Sequence, residues 1–126
     1  MVIETKKAEI IYCSRTLQIE YFLRRGQKET ILYLHGLGCT KADFLGATEI
    51  DSLHEHTLAA LDFPGHGKSG YSGKLDMDDL VELTRLFTET LNLQNPVLIG
   101  HSMGGLVALL FSERYAGRTK AFINVE

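Results

Sequence analysis

Residues 16–24 alternate apolar and polar side chains, with Leu17, Ile19, Tyr21 and Leu23 on one face and Gln18, Glu20 and Arg24 on the other. Period two predicts a strand with one face open to water, antiparallel and near a sheet edge. The mixed run 8–14 predicts a short strand before it, and the charged stretch 24–29 a solvated turn. Beyond residue 30 the pattern changes. Continuous apolar runs occur at 31–34, 58–61, 97–99 and 121–123. Runs without alternation predict strands buried on both faces, as in a parallel sheet covered by helices.

Helical spacing fills the gaps between these runs. Leu80, Leu83, Phe87 and Leu91 recur every three or four residues behind Asp76 and Asp79, which read as an N-cap and a first-turn acid. Residues 102–115 predict a second helix carrying Leu106, Leu109 and Leu110, with Gly117 at its stop, and 41–50 a weaker one. Strands alternating with helices predict an α/β domain. Ligands of such sheets gather at the carboxyl ends of the strands, here the loops after Leu34, Leu61, Ile99 and Val125.

A length of 126 residues predicts one domain at most, with no linker or repeat inside it. The chain is 44% apolar and carries a net charge of −3. That composition excludes disorder and argues against a nucleic-acid or anionic-membrane partner, which would call for a basic surplus. Cys13 and Cys39 are too few for a disulfide framework and read as small core fillers. No apolar run follows the charged start, so no signal peptide is expected. The longest such run, 106–111, is six residues, far short of a membrane span. The expectation is a soluble cytoplasmic protein.

Three strand ends carry candidate chemistry. After Ile99 comes Gly100-His101-Ser102-Met103-Gly104-Gly105, a G-x-S-x-G pattern between an apolar strand and a helix. A nucleophile on such a sharp turn needs glycine at 100 and 104, where side chains would clash, and presents its hydroxyl above the sheet. The helix N-terminus supplies N–H groups and a positive dipole for a developing oxyanion. The blander reading is a glycine-rich helix start capped by Ser102. After Leu34 comes His35-Gly36-Leu37-Gly38, whose glycines allow close approach of backbone to ligand; the Leu37 N–H becomes a candidate second oxyanion donor beside that of Met103. After Leu61 comes Asp62-Phe63-Pro64-Gly65-His66-Gly67-Lys68-Ser69, a near match to the phosphate-binding P-loop with Asp62 in the first glycine's position and loop residues where a helix should begin. His54-Glu55-His56 has metal-ligand residue types, yet nothing nearby in sequence completes a site, so a solvated loop and no metal are expected.

Taken together and in this order, the three stretches resemble the α/β-hydrolase superfamily, in its esterase-like and lipase-like branch. The resemblance runs from residue 8 to 126. It implies an α/β-hydrolase fold, mostly parallel and flanked by helices, with about strands 1–6 of 8 present. It implies Ser102 as nucleophile, Leu37 and Met103 as oxyanion donors and substrate neighbours, and His35, Gly36, Gly100 and Gly104 as supporting the motifs, with the 62–69 loop structural. The family's order is nucleophile, then acid, then His. No histidine follows His101 here, so the resemblance implies that the base is absent and that residues 1–126 are the N-terminal portion of one hydrolase domain. Glu126, after the sixth strand, is either the acid or the start of a loop. The implied activity is hydrolysis of an ester, thioester or related acyl bond of a small molecule through an acyl-enzyme, without cofactor. The isolated chain is expected to be inactive. The rival expectation is a non-catalytic binding module of the same fold.

Overall fold

The computed structural model describes residues 3–67, 69 and 74–125. Six strands form one sheet in the order β1-β2-β4-β3-β5-β6. Strands β1 (Glu4–Tyr12) and β2 (Arg15–Arg24) make an antiparallel hairpin closed by Cys13 and Ser14, both at positive φ (50° and 64°). Two left-handed residues give the turn a twist that matches the strands it joins. Strand β4 (His56–Leu61) runs antiparallel to β2, while β3 (Lys28–Leu34), β5 (Val97–His101) and β6 (Ala121–Val125) are parallel to it and to one another. The observed architecture is therefore the mostly parallel α/β sheet expected from the apolar runs.

Helices α1 (Met77–Thr90) and α2 (Met103–Arg114) pack on one face of the sheet. Leu80, Leu83, Phe87, Val107 and Phe111 meet Ile19, Leu23, Leu32, Leu34 and Leu98 there in one core. Asp76 and Asp79 form a reciprocal capping box, the side chain of each accepting the other's backbone N–H at 2.9 and 2.8 Å. Asp79 also accepts the Tyr12 hydroxyl at 2.5 Å, which ties the start of α1 to β1. The opposite face is covered by a 3-10 stretch, Lys41–Glu49, whose Phe44 stacks on Tyr33 at 4.9 Å. No helix among the described residues is long and apolar enough to cross a membrane.

Four expectations need correction. Cys13, at the β1–β2 turn, is exposed and Cys39 is only half-buried, so neither is a core filler. Arg24, assigned to a water-facing side of β2, is 1% exposed. The 3-10 stretch covers that end of the strand, and the Arg24 guanidinium donates to the carbonyls of Thr48, Leu53 and His56, at 3.1 Å for the first and 2.9 Å for the last. Residues 41–50 form a 3-10 helix rather than an α-helix. Strand β6, read as buried, is exposed at all five positions, because among the described residues it is an edge strand with β5 on one side only.

Candidate functional site

The β5–α2 turn is set by backbone packing. A Cβ on Gly100 would stand 2.2 Å from the Gly104 carbonyl oxygen, and one on Gly104 2.0 Å from that of Leu34. The first clash lies within the turn, as the G-x-S-x-G pattern requires; the second lies between α2 and β3. A third close approach was not foreseen: a Cβ on Gly105 would meet the Asn124 side-chain oxygen of β6 at 2.0 Å. These contacts leave Ser102 at φ 55° and ψ −113°, a region that costs a non-glycine residue about 1–3 kcal/mol. Its N–H donates to Val125 at 3.0 Å, so the turn is also tied to β6. Its hydroxyl makes no capping bond and its side chain is exposed. The reading of Ser102 as a plain helix cap therefore fails.

Across the sheet, the loop after β3 is fixed from below. His35 is fully buried. Its Nε2 accepts the Phe63 N–H at 2.9 Å, which assigns the ring proton to Nδ1, and that nitrogen donates to the Gly36 carbonyl at 2.7 Å. Burial holds its pKa below the usual histidine range, consistent with a neutral ring. Both nitrogens are thus engaged in backbone contacts. Gly36 lies against His101, whose Nδ1 would be 2.9 Å from an added Cβ. That Nδ1 is buried and has no hydrogen-bond partner among the described residues.

Leu37 and Met103, the two expected oxyanion positions, line one cavity of about 350 Å³ together with His66, Lys74, Leu75 and Leu80. Its lining mixes the apolar residues Leu37, Pro64, Leu75, Leu80 and Met103 with the polar residues His66 and Lys74. A second cavity of about 240 Å³, beside Thr88, Asn92 and Arg118, lies beyond the C-terminal end of α1, away from Ser102. Glu126, the candidate acid, and its expected position on the Ser102 rim lie outside the described residues.

Phe63, Gly65, His66 and Ser69 bond to one another through their backbone. His66 N–H donates to Phe63, Ser69 N–H to His66 and Gly65 N–H to Ser69, each at 3.0 Å, and Ser69 Oγ accepts the Glu20 N–H at 2.8 Å. Those N–H groups are engaged within the loop, and the Asp62 carboxylate sits 2.3 Å from where a Gly67 Cβ would be. Both features of the described residues argue against the phosphate-loop reading. Asp62 is fully buried, and its two oxygens accept from Lys41: Oδ1 from the backbone N–H at 2.8 Å and Oδ2 from the ammonium at 2.9 Å. The ammonium also bonds Glu20 at 2.7 Å. Burial alone would lower the Lys41 pKa, but the two carboxylates outweigh it and hold the ammonium above its usual range. Lys41 and Glu20 were not singled out from the sequence. The available signal was Asp62 itself, an acid closing a wholly apolar run and so in need of a buried cation.

Comparison with known proteins bears on this arrangement. The family model described as alpha/beta hydrolase fold matches residues 29–126. The chain is 33% identical over 100 residues to the (E)-2-((N-methylformamido)methylene)succinate hydrolase of Acinetobacter baylyi, covering 75% of this chain and 38% of the relative. It is 36% identical over 97 residues to the sn-1-specific diacylglycerol lipase ABHD11 of Danio rerio, covering 74% and 30%. A thermophilic esterase from Thermogutta terrifontis superposes with a TM-score of 0.84 at 23% identity, covering 94% of this chain and 44% of that one. The chain thus spans less than half the length of each of these relatives.

Proposed function

The chain belongs to the α/β-hydrolase fold family, and on that premise we propose that Ser102 is the nucleophile of a hydrolase that opens an ester, thioester or related acyl bond of a small molecule. The observation that carries the proposal is the Ser102 turn: a strained backbone and an exposed serine without a capping bond, followed directly by Met103, which lines a cavity with Leu37. Strain persists in folded proteins where function needs the geometry it imposes. The Ser102 oxygen attacks the acyl carbon while a general base takes its proton. The N–H groups of Leu37 and Met103 hold the oxygen on which charge develops. Collapse expels the alcohol or thiol, which receives the proton from the base, and water then releases the acid by the same steps. The apolar residues among the cavity lining, Leu37, Leu75, Leu80 and Met103, suit an acyl chain of modest size.

The base is the weak member of the set. All five histidines precede the nucleophile. The lone pair of His35 is occupied by the Phe63 N–H. His101 neighbours Ser102 in sequence, but its Nδ1 is packed against Gly36. The proposal therefore assigns the base to a residue that these 126 do not supply, treats the chain as the N-terminal part of a hydrolase domain, and leaves the acid to Glu126 or a later residue. A cytoplasmic setting and inactivity of the isolated chain belong to the same proposal. One observation, the commitment of His35 to the backbone, favours a second reading: a binding module that keeps the fold without turnover.

The experiment is p-nitrophenyl acetate hydrolysis by the purified chain and by Ser102→Ala. The expected result is no burst, with slow release that falls in the variant; a site lacking one triad member retains at most about 10³–10⁴-fold acceleration over water. A robust burst abolished by the substitution would keep Ser102 and move the base into this chain. Identical slow release from both proteins would refute the nucleophile and favour the binding module.

A further inference from the structure

We propose that Lys41 and Asp62 are positioning residues that fix the 36–41 loop so that the Leu37 N–H stays aimed at the oxygen of a group bound to Ser102. The inference rests on Ser102 as the nucleophile and goes on to say what holds the second donor in place.

The middle of this loop has almost nothing to lean on. Leu37 is 76% exposed, and Gly38, at φ 77°, has no atom within 4 Å of where a Cβ would stand. One internal bond, from the Cys39 N–H to the Gly36 carbonyl at 3.0 Å, shapes the turn but attaches it to nothing else. The position of Leu37 is therefore decided at the two ends of the loop. At the entry, His35 bridges the Gly36 carbonyl and the Phe63 N–H. At the exit, Lys41 donates its backbone N–H to one oxygen of Asp62 and its ammonium to the other. Asp62 and Phe63 are consecutive, so both anchors pull on one dipeptide at the carboxyl end of β4. Glu20, from β2, holds the ammonium on its far side.

An ion pair this deeply placed is an inefficient source of stability, because desolvating the two charges offsets most of their attraction. What it provides that an apolar pair lacks is direction. Two bonds to one carboxylate, one of them from the backbone, fix the main chain at residue 41 in both position and orientation. Since the loop carries a candidate catalytic N–H, direction is what the site needs: donors contribute only when they lie within hydrogen-bond reach of the developing oxyanion.

The test uses phenylboronic acid, which requires no general base. Its boron bonds the Ser102 oxygen, the hydroxyl proton goes to solvent, and the resulting tetrahedral boronate presents a hydroxyl oxygen where the oxyanion would stand. Affinity is read by boron NMR, and the Leu37 amide proton by its shift in the adduct, for the wild type, Ser102→Ala, Lys41→Met, Lys41→Arg and Lys41→Met/Asp62→Leu, the last of which removes both bonds to residue 62. The double variant removes the fully buried carboxylate together with its cation and leaves only Glu20, whose side chain is 15% exposed, so its fold is at less risk than that of Lys41→Met. The expected result is a Ser102-dependent adduct with a downfield Leu37 amide in the wild type and in Lys41→Arg. In the double variant, at an unchanged urea midpoint, the adduct is weaker by about tenfold or more and the amide shift is lost. A double variant that binds as tightly as the wild type overturns the clamp and leaves Ser102 untouched. Absence of any adduct in the wild type overturns the reading of Ser102, and the clamp with it.

Discussion

Gly104→Ala places two effects of opposite sign in competition. On an isolated helix the substitution is favourable by about 1 kcal/mol, since alanine loses less backbone freedom than glycine. Here the new Cβ would stand 2.0 Å from the Leu34 carbonyl oxygen, 2.5 Å from its carbon and 2.8 Å from the His35 carbonyl oxygen, where ordinary contact begins at 3.4 Å. All three atoms are backbone in or beside a central strand, so no rotamer change relieves the clash. Helix α2 would have to retreat from β3 by about 1.4 Å, the gap between the first distance and ordinary contact. Val107, Ala108 and Phe111, all fully buried, would loosen with it. A displacement of that kind belongs at the upper end of overpacking costs, about 3 kcal/mol, leaving a net loss of about 2 kcal/mol after the helix gain. Urea unfolding followed by circular dichroism reads this directly. Gly46→Ala is the control: nothing lies within 4 Å of its added Cβ, so it should leave stability unchanged or raise it by up to about 1 kcal/mol. If Gly104→Ala were as stable as the wild type, the argument that α2 is seated by backbone contact on β3 would be wrong.

Other substitutions probe the same site. Ser102→Gly removes a strained φ worth about 1–3 kcal/mol and adds about 0.5–1 kcal/mol of unfolded-state freedom, so it should stabilise the fold by about 1 kcal/mol, whereas Ser102→Ala should leave stability near the wild-type value. Urea midpoints of the pair check this, and equal midpoints would argue against strain at residue 102. His35 gives a pH dependence with a definite sign. Burial lowers its pKa in the fold, so the unfolded chain binds the proton more readily. Its contribution is fully present above the unfolded value of about 6.5 and is lost as pH falls below it. His35→Gln keeps an acceptor for the Phe63 N–H without titrating. The wild type should therefore lose more stability than the variant between pH 7.5 and 5, measured by urea titration at each pH, and parallel losses would show that His35 is not the titrating group.

Strands β3 and β4 were legible because a run without polar positions fits burial on both faces, and all of Leu32, Leu34, Leu58 and Ala60 are buried. The same signal misled at β6. A run such as Ala121-Phe122-Ile123 carries apolar character but no record of which neighbours cover it, and Phe122 and Ile123 remain 39% and 50% exposed. Arg24 failed for the converse reason. Alternation along β2 gives the face correctly, but a segment more than twenty residues away covers that face and supplies carbonyls for the guanidinium. The candidate site was legible where its constraint is local. Gly100 and Gly104 sit at fixed offsets from Ser102, so the turn could be read from the motif. Lys41 and Asp62 are 21 positions apart and meet only because β3 and β4 lie side by side. Gly105 and Asn124 likewise meet only through the pairing of β5 with β6.

The most direct test of the account is to ask which side chain takes the acyl group. Incubating the chain with p-nitrophenyl acetate and free imidazole, which supplies a general base from solution, and mapping acetylated peptides by mass spectrometry resolves this residue by residue. The account predicts acetylation concentrated at Ser102, dependent on imidazole, above that of Ser14, Ser52 and Ser112. It also predicts that Gly104→Ala, which displaces the Met103 N–H, reduces the label at Ser102. Acetyl groups spread over surface lysines and serines, with Ser102 no more reactive than the rest, would contradict the claim that this turn is built to present a nucleophile.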